Sequence, residues 1–286
     1  MEQTLFSESM EGITLDRVVR DQEYSMTMKH FHDTYELYFL LEGERYYFIE
    51  RETYDVKAGN AVLVNREQVH KTSQAGSRTH DRILLQLNGR ILEPWLRQTG
   101  IWSLEKIFGD YYGVLQLSET EWEEMKSLLF SMAYEMKQRA ERYEVMVRLK
   151  LAQILLMVHR SRQQNVREEI PLTVQTAKHE KVHEVAEYLT FHCESGERLE
   201  ELAERFFISK SYLSRIFREV TSFSVNEYRN LARIRKAKEL LANSDYSITE
   251  ISDILGFESI TYFERIFKKH ADATPSKYRR EAGRAE

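Results

Sequence analysis

The sequence predicts two domains: an antiparallel β domain with flanking helices, then an all-α domain built from two helix-turn-helix units. Three observations carry this expectation. Between residues 13 and 87, short aromatic and β-branched runs are separated by Gly and Asn turns. In the following region, residues 90–160, the apolar spacing changes to the three-and-four step of a helix. Beyond residue 178 one helical pattern occurs twice, about 50 residues apart. A chain of 286 residues is long enough to bury two separate cores.

Composition narrows the class further. Only 3 prolines and 11 glycines suit a helix-rich chain. The formal charge is −5, and residues 179–286 carry 18 Lys and Arg against 19 Asp and Glu. Neither half is basic as a whole, so a nucleic-acid-binding face must be local. Cys193 is the only cysteine, which excludes an intrachain disulfide and fits a reducing compartment. The first residues, MEQTLFSESMEGITLD, hold early acids and no long apolar run, so no signal peptide is expected. The run Ile154 to Val158 (ILLMV) is far short of a membrane span. A cytoplasmic protein with no membrane partner is expected.

The β region begins with the apolar burst Tyr35 to Leu41, closed by a turn at Glu42-Gly43. Arg45 to Glu50, Tyr54 to Val56, Ala61 to Asn65 and Arg82 to Leu87 continue the series, with a turn at Lys57 to Asn60. Short strands of this kind build a sandwich or a barrel. Ser118 three residues before Glu121 resembles a capping box, and helices are expected over about 121–138 and 142–160. In the second, Val145, Leu149, Ala152 and Leu156 share a face, and Leu151, Ile154 and Leu155 broaden it. That stripe is wider than one exposed helix needs. It is expected to pack on the β domain, and part of it to form the seam of a homodimer. The polar stretch 161–178, with Pro171, reads as a linker between a domain at 1–160 and one at 179–286.

The second domain repeats itself. Leu199 to Arg229 and Ile248 to Arg279 each hold a short amphipathic helix, a tight turn, a helix ending in Ile-Phe and a basic residue, and a final Tyr-Arg. The two units lie at about 199–219 and 248–270. In the first, Leu202, Ala203 and Phe206 face inward, Ser209 caps, and Leu213, Ile216 and Phe217 pack back. In the second, Ile251, Ser252, Ile254 and Leu255 face inward, Gly256 suits a positive φ, and Ser259 caps. Phe263, Ile266 and Phe267 then pack back. The residues left over form a polar face: Lys210, Ser211, Ser214, Arg215 and Arg218 in one unit, Ile260, Thr261, Glu264, Arg265 and Lys268 in the other. A helix with such a face fits the major groove of double-stranded DNA, where Arg reads guanine. Lys210 and Lys269 suit phosphates. The helix at about 225–241 sets the spacing of the two units, and one of Arg233 and Arg235 is expected to be structural.

These motifs resemble the DNA-binding domain of the AraC/XylS family of bacterial transcription regulators. The resemblance rests on Ile251, Gly256-Phe257, Tyr262-Phe263, Phe267-Lys268-Lys269, Thr274-Pro275 and Tyr278-Arg279, with Arg233-Ile234, Ala237 and Leu240-Leu241 in the linking helix. It covers roughly 182–280. It implies that Ser211, Ser214 and Arg215, and Ile260, Thr261, Glu264 and Arg265, face bases. The chain departs from the family pattern at Phe207, Ser222 and Asp272, where the family commonly has glycine.

His30, His32 and Glu36 precede Gly43, and His70 follows the Gly59-Asn60 turn. The arrangement resembles the cupin motif, which implies a cupin-like barrel as the effector-binding domain. With Tyr38 nearby, these four residues are expected to contact a small-molecule effector, with a sugar as one candidate class. The same set, His30, His32, Glu36 and His70, is the metal candidate, although no metal or cofactor is expected. The leading expectation is therefore an effector-responsive, dimeric, sequence-specific DNA-binding regulator that is not an enzyme. The alternative is a metal-dependent cupin enzyme fused to a DNA-binding domain.

Overall fold

The chain divides into two compact units, Met1–Val174 and Gln175–Glu286. The computed structural model describes residues 2–24, 33–76, 78–109, 112–165 and 176–282.

In the N-terminal unit, β1 (Glu2–Met10), β2 (Ile13–Arg20), β3 (Tyr35–Glu42), β6 (Asn60–Val64), β8 (His80–Leu87) and β9 (Gly113–Gln116) form one sheet. Its order is β1-β2-β8-β3-β6-β9, and every pairing is antiparallel. β4 (Glu44–Ile49), β5 (Glu52–Lys57) and β7 (His70–Gln74) form a second sheet in the order β5-β4-β7. β3 is buried from Tyr35 to Leu40, Glu36 included, because this strand lies inside its sheet and both of its faces are covered.

The two faces of the large sheet differ. Tyr35, Leu37, Phe39, Leu63, Ile83, Leu85 and Leu87 point one way and join a core with the helices. These are α1 (Gly89–Thr99), α2 (Leu104–Phe108), α3 (Glu119–Gln138) and α4 (Tyr143–Asn165). The opposite face meets the small sheet, where Tyr38, Leu40, Val62, Val64 and Val114 pack on Tyr47, Ile49 and Val56.

The expected cupin-like barrel is not formed. The strands close into two separate ladders, and no ladder joins them among the described residues. A barrel requires one hydrogen-bonded register running all the way round. Here β4 pairs only with β5 and β7, and side-chain packing holds the two sheets together. Short strands between Gly and Asn turns are equally compatible with both architectures, and the residues select the open sandwich.

The helical expectations meet specific caps. The Ser118–Glu121 capping box starts α3, with Ser118 Oγ and Glu121 reciprocally bonded. In α4 the broad apolar stripe divides. Leu151, Ile154 and Leu155 are buried in the core, whereas Val145 and Leu149 are exposed and Ala152 and Leu156 are half-covered.

The C-terminal unit contains α5 (Ala177–Phe191), α6 (Leu199–Arg205), α7 (Lys210–Thr221), α8 (Val225–Asn243), α9 (Ile248–Ile254), α10 (Ile260–Ala271) and α11 (Pro275–Ala282). Ser209, Ser224, Ser247 and Ser259 are N-caps, each accepting a backbone N–H of its first turn. α8 buries Leu231, Ile234, Ala237, Lys238 and Leu241. At 1.5 Å per residue it is about 28 Å long.

Candidate nucleic-acid interface and sensor chamber

Each helix-turn-helix is built around a Schellman turn. In the first, Phe207 N–H bonds Glu204 O and Ile208 N–H bonds Ala203 O. In the second, Gly256 N–H bonds Asp253 O and Phe257 N–H bonds Ser252 O. Phe207 and Gly256 therefore occupy the same left-handed position, at φ 56° and 67°. Glu258 makes the second turn one residue longer before its cap.

Behind each turn the recognition helix buries one face. Leu213, Ile216 and Phe217 are buried in α7, and Phe263 and Phe267 in α10, where Ile266 is half-covered. Ile254 departs from expectation: it is exposed, and Leu255 is buried with Ile251 and Phe257 at that corner. The residues expected on the DNA-facing side are all exposed: Lys210, Ser211, Ser214, Arg215 and Arg218 on α7, and Ile260, Thr261, Glu264, Arg265, Lys268 and Lys269 on α10. Ser211, Ser214, Arg215 and Arg218 line a concavity of about 610 Å³ closed by the first residues of α8.

The two faces differ in charge. Lys210 is paired with Glu200, and Glu219 accepts from Lys178 at 2.6 Å and faces Arg215 at 3.8 Å. On α10, Arg265 lies over the Tyr262 ring at 5.2 Å, and Arg265, Lys268 and Lys269 have no carboxylate partner among the described residues.

Two arginines of α8 hold the framework. Arg233 donates to the carbonyls of Cys193 (2.6 Å) and Ser195 (3.1 Å) and lies over Phe257, and Arg229 donates to the Glu197 carbonyl at 2.7 Å. Both are buried, which lowers their pKa values. Arg233 is thus the structural member of the Arg233/Arg235 pair. Arg229 takes the same role, and its place in the repeated Tyr-Arg was the available signal.

In the N-terminal unit, alternation directs a polar set between the sheets. Glu36 accepts from Gln86 Nε2 at 2.7 Å and faces His70 Nε2 at 3.4 Å. Tyr38 is buried edge-on to Tyr47, with ring centroids 5.2 Å apart, and Tyr47 stacks on His70. Burial raises the pKa of both tyrosines. Of the expected effector contacts, Glu36, Tyr38 and His70 thus share one chamber, while His30 and His32 lie outside the described residues. Among the described residues, no group of three or more His, Cys, Asp or Glu could hold a metal ion.

The same chamber contains residues that were not expected. Arg45 is fully buried, donating from Nε to Thr72 Oγ1 at 3.1 Å and from Nη2 to the Tyr24 carbonyl at 2.7 Å. Arg20 lies 3.8 Å over the Tyr24 ring, and its Nη1 is 3.3 Å from His80 Nε2. Burial and the charges of Arg45, Arg20 and Arg82 push the His80 pKa down to about 3, so its ring is neutral. In RYYFIE, period-two alternation places Arg45 on the face of Tyr47 and Ile49, and that signal identifies it as inward.

A helix-turn-helix domain model matches residues 202–281, and an AraC-like ligand binding domain model matches residues 17–149. The Msm operon regulatory protein of Streptococcus mutans is 26% identical over 262 residues, covering 87% of this chain and 85% of that protein. The probable transcription factor PqrA of Proteus vulgaris is 37% identical over 84 residues, 29% of this chain and 69% of that protein. The chain belongs to the AraC/XylS family of transcription regulators. The DNA-binding domain of AdpA, solved in complex with a target DNA, is 28% identical over 34% of this chain and 88% of that one, with a TM-score of 0.33. Other relatives are matched in part only: the chain spans 34% of the Escherichia coli regulator YijO.

This AraC/XylS-type chain is a DNA-binding regulator that responds to a small molecule, and its relatives are named as regulators. The alternative of a cupin enzyme falls with the barrel it required. Among the described residues no helix is long and apolar enough to cross a membrane.

Proposed function

We propose that the regulator reads DNA with α7 and α10 in neighbouring major grooves, senses its effector in the chamber between the two sheets, and acts as a homodimer. The observation that carries the DNA reading is the pair of like-built recognition helices, each leaving its polar residues exposed while its apolar residues are buried. On α7, Ser211, Ser214 and Arg215 meet base edges, while Lys210 and Arg218 meet phosphates. On α10, Ile260, Thr261, Glu264 and Arg265 meet base edges, while Lys268 and Lys269 meet phosphates. The length of α8, about 28 Å, is comparable with the roughly 34 Å between successive major grooves on one face of the duplex.

The dimer reading rests on the outer row of α4. Val145 and Leu149 are 52% and 55% exposed, one turn apart, and Ala152 and Leu156 continue their line. A second copy of the same helix supplies a matching apolar row. The chamber holds Glu36, Tyr38 and His70 beside aromatic rings, and a sugar is compatible with rings and polar groups so arranged.

Selection of randomised duplex DNA by the full-length protein, followed by sequencing, tests this reading. Two recurring half-sites, each spanning two adjacent grooves, are the expected result. A single enriched site removes the dimer on DNA. No enrichment across a range of salt concentrations removes the DNA reading.

A further inference from the structure

The chamber between the sheets has an unusual balance of donors and acceptors. Arg45 is fully buried, and no carboxylate pairs with it among the described residues. Its neighbours differ in this respect: Arg20 is paired with Glu2, and Arg82 with Asp16. A guanidinium out of water and without a counter-charge is costly, and folded proteins rarely keep one unless it is used.

The free hydrogen-bonding groups around it are donors. Arg45 Nη1 has no partner among the described residues. Arg20 can only donate, so His80 Nε2 accepts from it, which places the proton of the neutral ring on Nδ1. That Nδ1–H is buried and has no partner among the described residues. The Tyr38 hydroxyl is buried beside Thr72, which leaves its own proton available to donate. These groups come from β3 and β8 of the large sheet and β4 of the small one, so the cluster spans the space between the sheets. An enclosed set of unmatched donors around one uncompensated positive charge is complementary to an anion that brings several acceptor oxygens.

We propose that Arg45 is the anion-reading residue of the effector site, and that the effector is an acidic small molecule carrying a carboxylate or a phosphate ester. This rests on the reading of the N-terminal unit as the effector-binding part. Arg45 supplies the charge and a forked donor, with Tyr38 and His80 donating beside it. A sugar acid or a sugar phosphate satisfies both this cluster and the aromatic rings nearby, whereas a neutral sugar leaves Arg45 unpaired.

The test is calorimetric titration and thermal melting of the full-length protein with glucuronate, citrate, glucose 6-phosphate, inorganic phosphate and glucose at constant ionic strength. At least one acid is expected to bind and raise the melting temperature, while glucose does neither. Binding by glucuronate or citrate identifies a carboxylate, and binding by glucose 6-phosphate or inorganic phosphate identifies a phosphate. Arg45→Met is expected to weaken acid binding at least tenfold while melting at or above the wild-type temperature. Arg45→Lys is expected to keep part of the affinity. Glucose binding as well as the acids, no acid binding at all, or unchanged acid affinity in Arg45→Met would each overturn the proposal. So would a melting temperature of Arg45→Met well below wild type, which marks the residue as structural. DNA selection by Arg45→Met separates this outcome from the regulator reading, because the expected recognition sequence is unchanged.

Discussion

In the first helix-turn-helix the left-handed turn is made by Phe207, whose side chain is 95% exposed; in the second it is made by Gly256. The backbone geometry is the same, and the surroundings decide the residue. A Cβ at Gly256 would collide with the Glu194 carbonyl oxygen and press on Arg233 Nη2 at 3.1 Å. The first turn faces solvent, so a phenylalanine fits there at the cost of conformational strain, about 1–2 kcal/mol. The glycine of the second unit is therefore a packing requirement as much as a conformational one. The units also differ in charge. Acids of the first unit hold Lys210 and Arg215, while Arg265, Lys268 and Lys269 of α10 have no carboxylate partner among the described residues. This contrast suggests that the second unit contributes more of the non-specific phosphate attraction.

The contrast can be broken most severely at Gly256. Gly256→Ala combines backbone strain with a steric collision and is expected to destabilise the C-terminal unit by about 3 kcal/mol. Thermal or urea unfolding checks it, and wild-type stability would refute the contact with Glu194. Next in size, Arg265→Ala should weaken DNA binding by about 1–3 kcal/mol and relax specificity in one groove only. Alanine at both Lys268 and Lys269 should lower the salt slope of DNA binding by about 2 while leaving sequence preference intact. In the first unit, Glu219→Gln releases Arg215 and Lys178 and should raise DNA affinity a few-fold, read by anisotropy at low salt. An unchanged affinity would show that this solvent-exposed pairing has no effect, as is common for surface ion pairs. The smallest change is Phe207→Gly. Relief of strain outweighs the added freedom of the unfolded chain only slightly, so a gain of about 1 kcal/mol or less is expected.

The C-terminal unit was largely legible because it is a repeat. The serine caps and left-handed turns occur in both units, and the unusual residues Phe207, Ser222 and Asp272 all adopt the positive φ their positions demand. The N-terminal unit was less legible, for a physical reason. β7, with sequence HKTSQ, has no apolar residue, because its inward side chains are His70 and Thr72. β1 is a mostly exposed edge strand, and β9 is only four residues long. Hydrophobic alternation identifies strands that bury apolar side chains, and it fails where the interior is polar. That is also where Arg45 and His80 lie. The barrel expectation failed because strand length and turn chemistry do not encode whether a ladder closes. Glu36, Tyr38 and His70 lie near one another between the sheets, but their roles in binding are properties of a ligand that sequence pattern does not describe.

The most direct test of the account is DNA selection repeated with Arg215→Ala and Arg265→Ala beside the wild type. The account predicts that the wild type enriches a site with two adjacent conserved segments. Arg215→Ala should lose preference in one segment and Arg265→Ala in the other, with the rest of the site retained. Identical enriched sequences for all three proteins would contradict the claim that α7 and α10 each read bases.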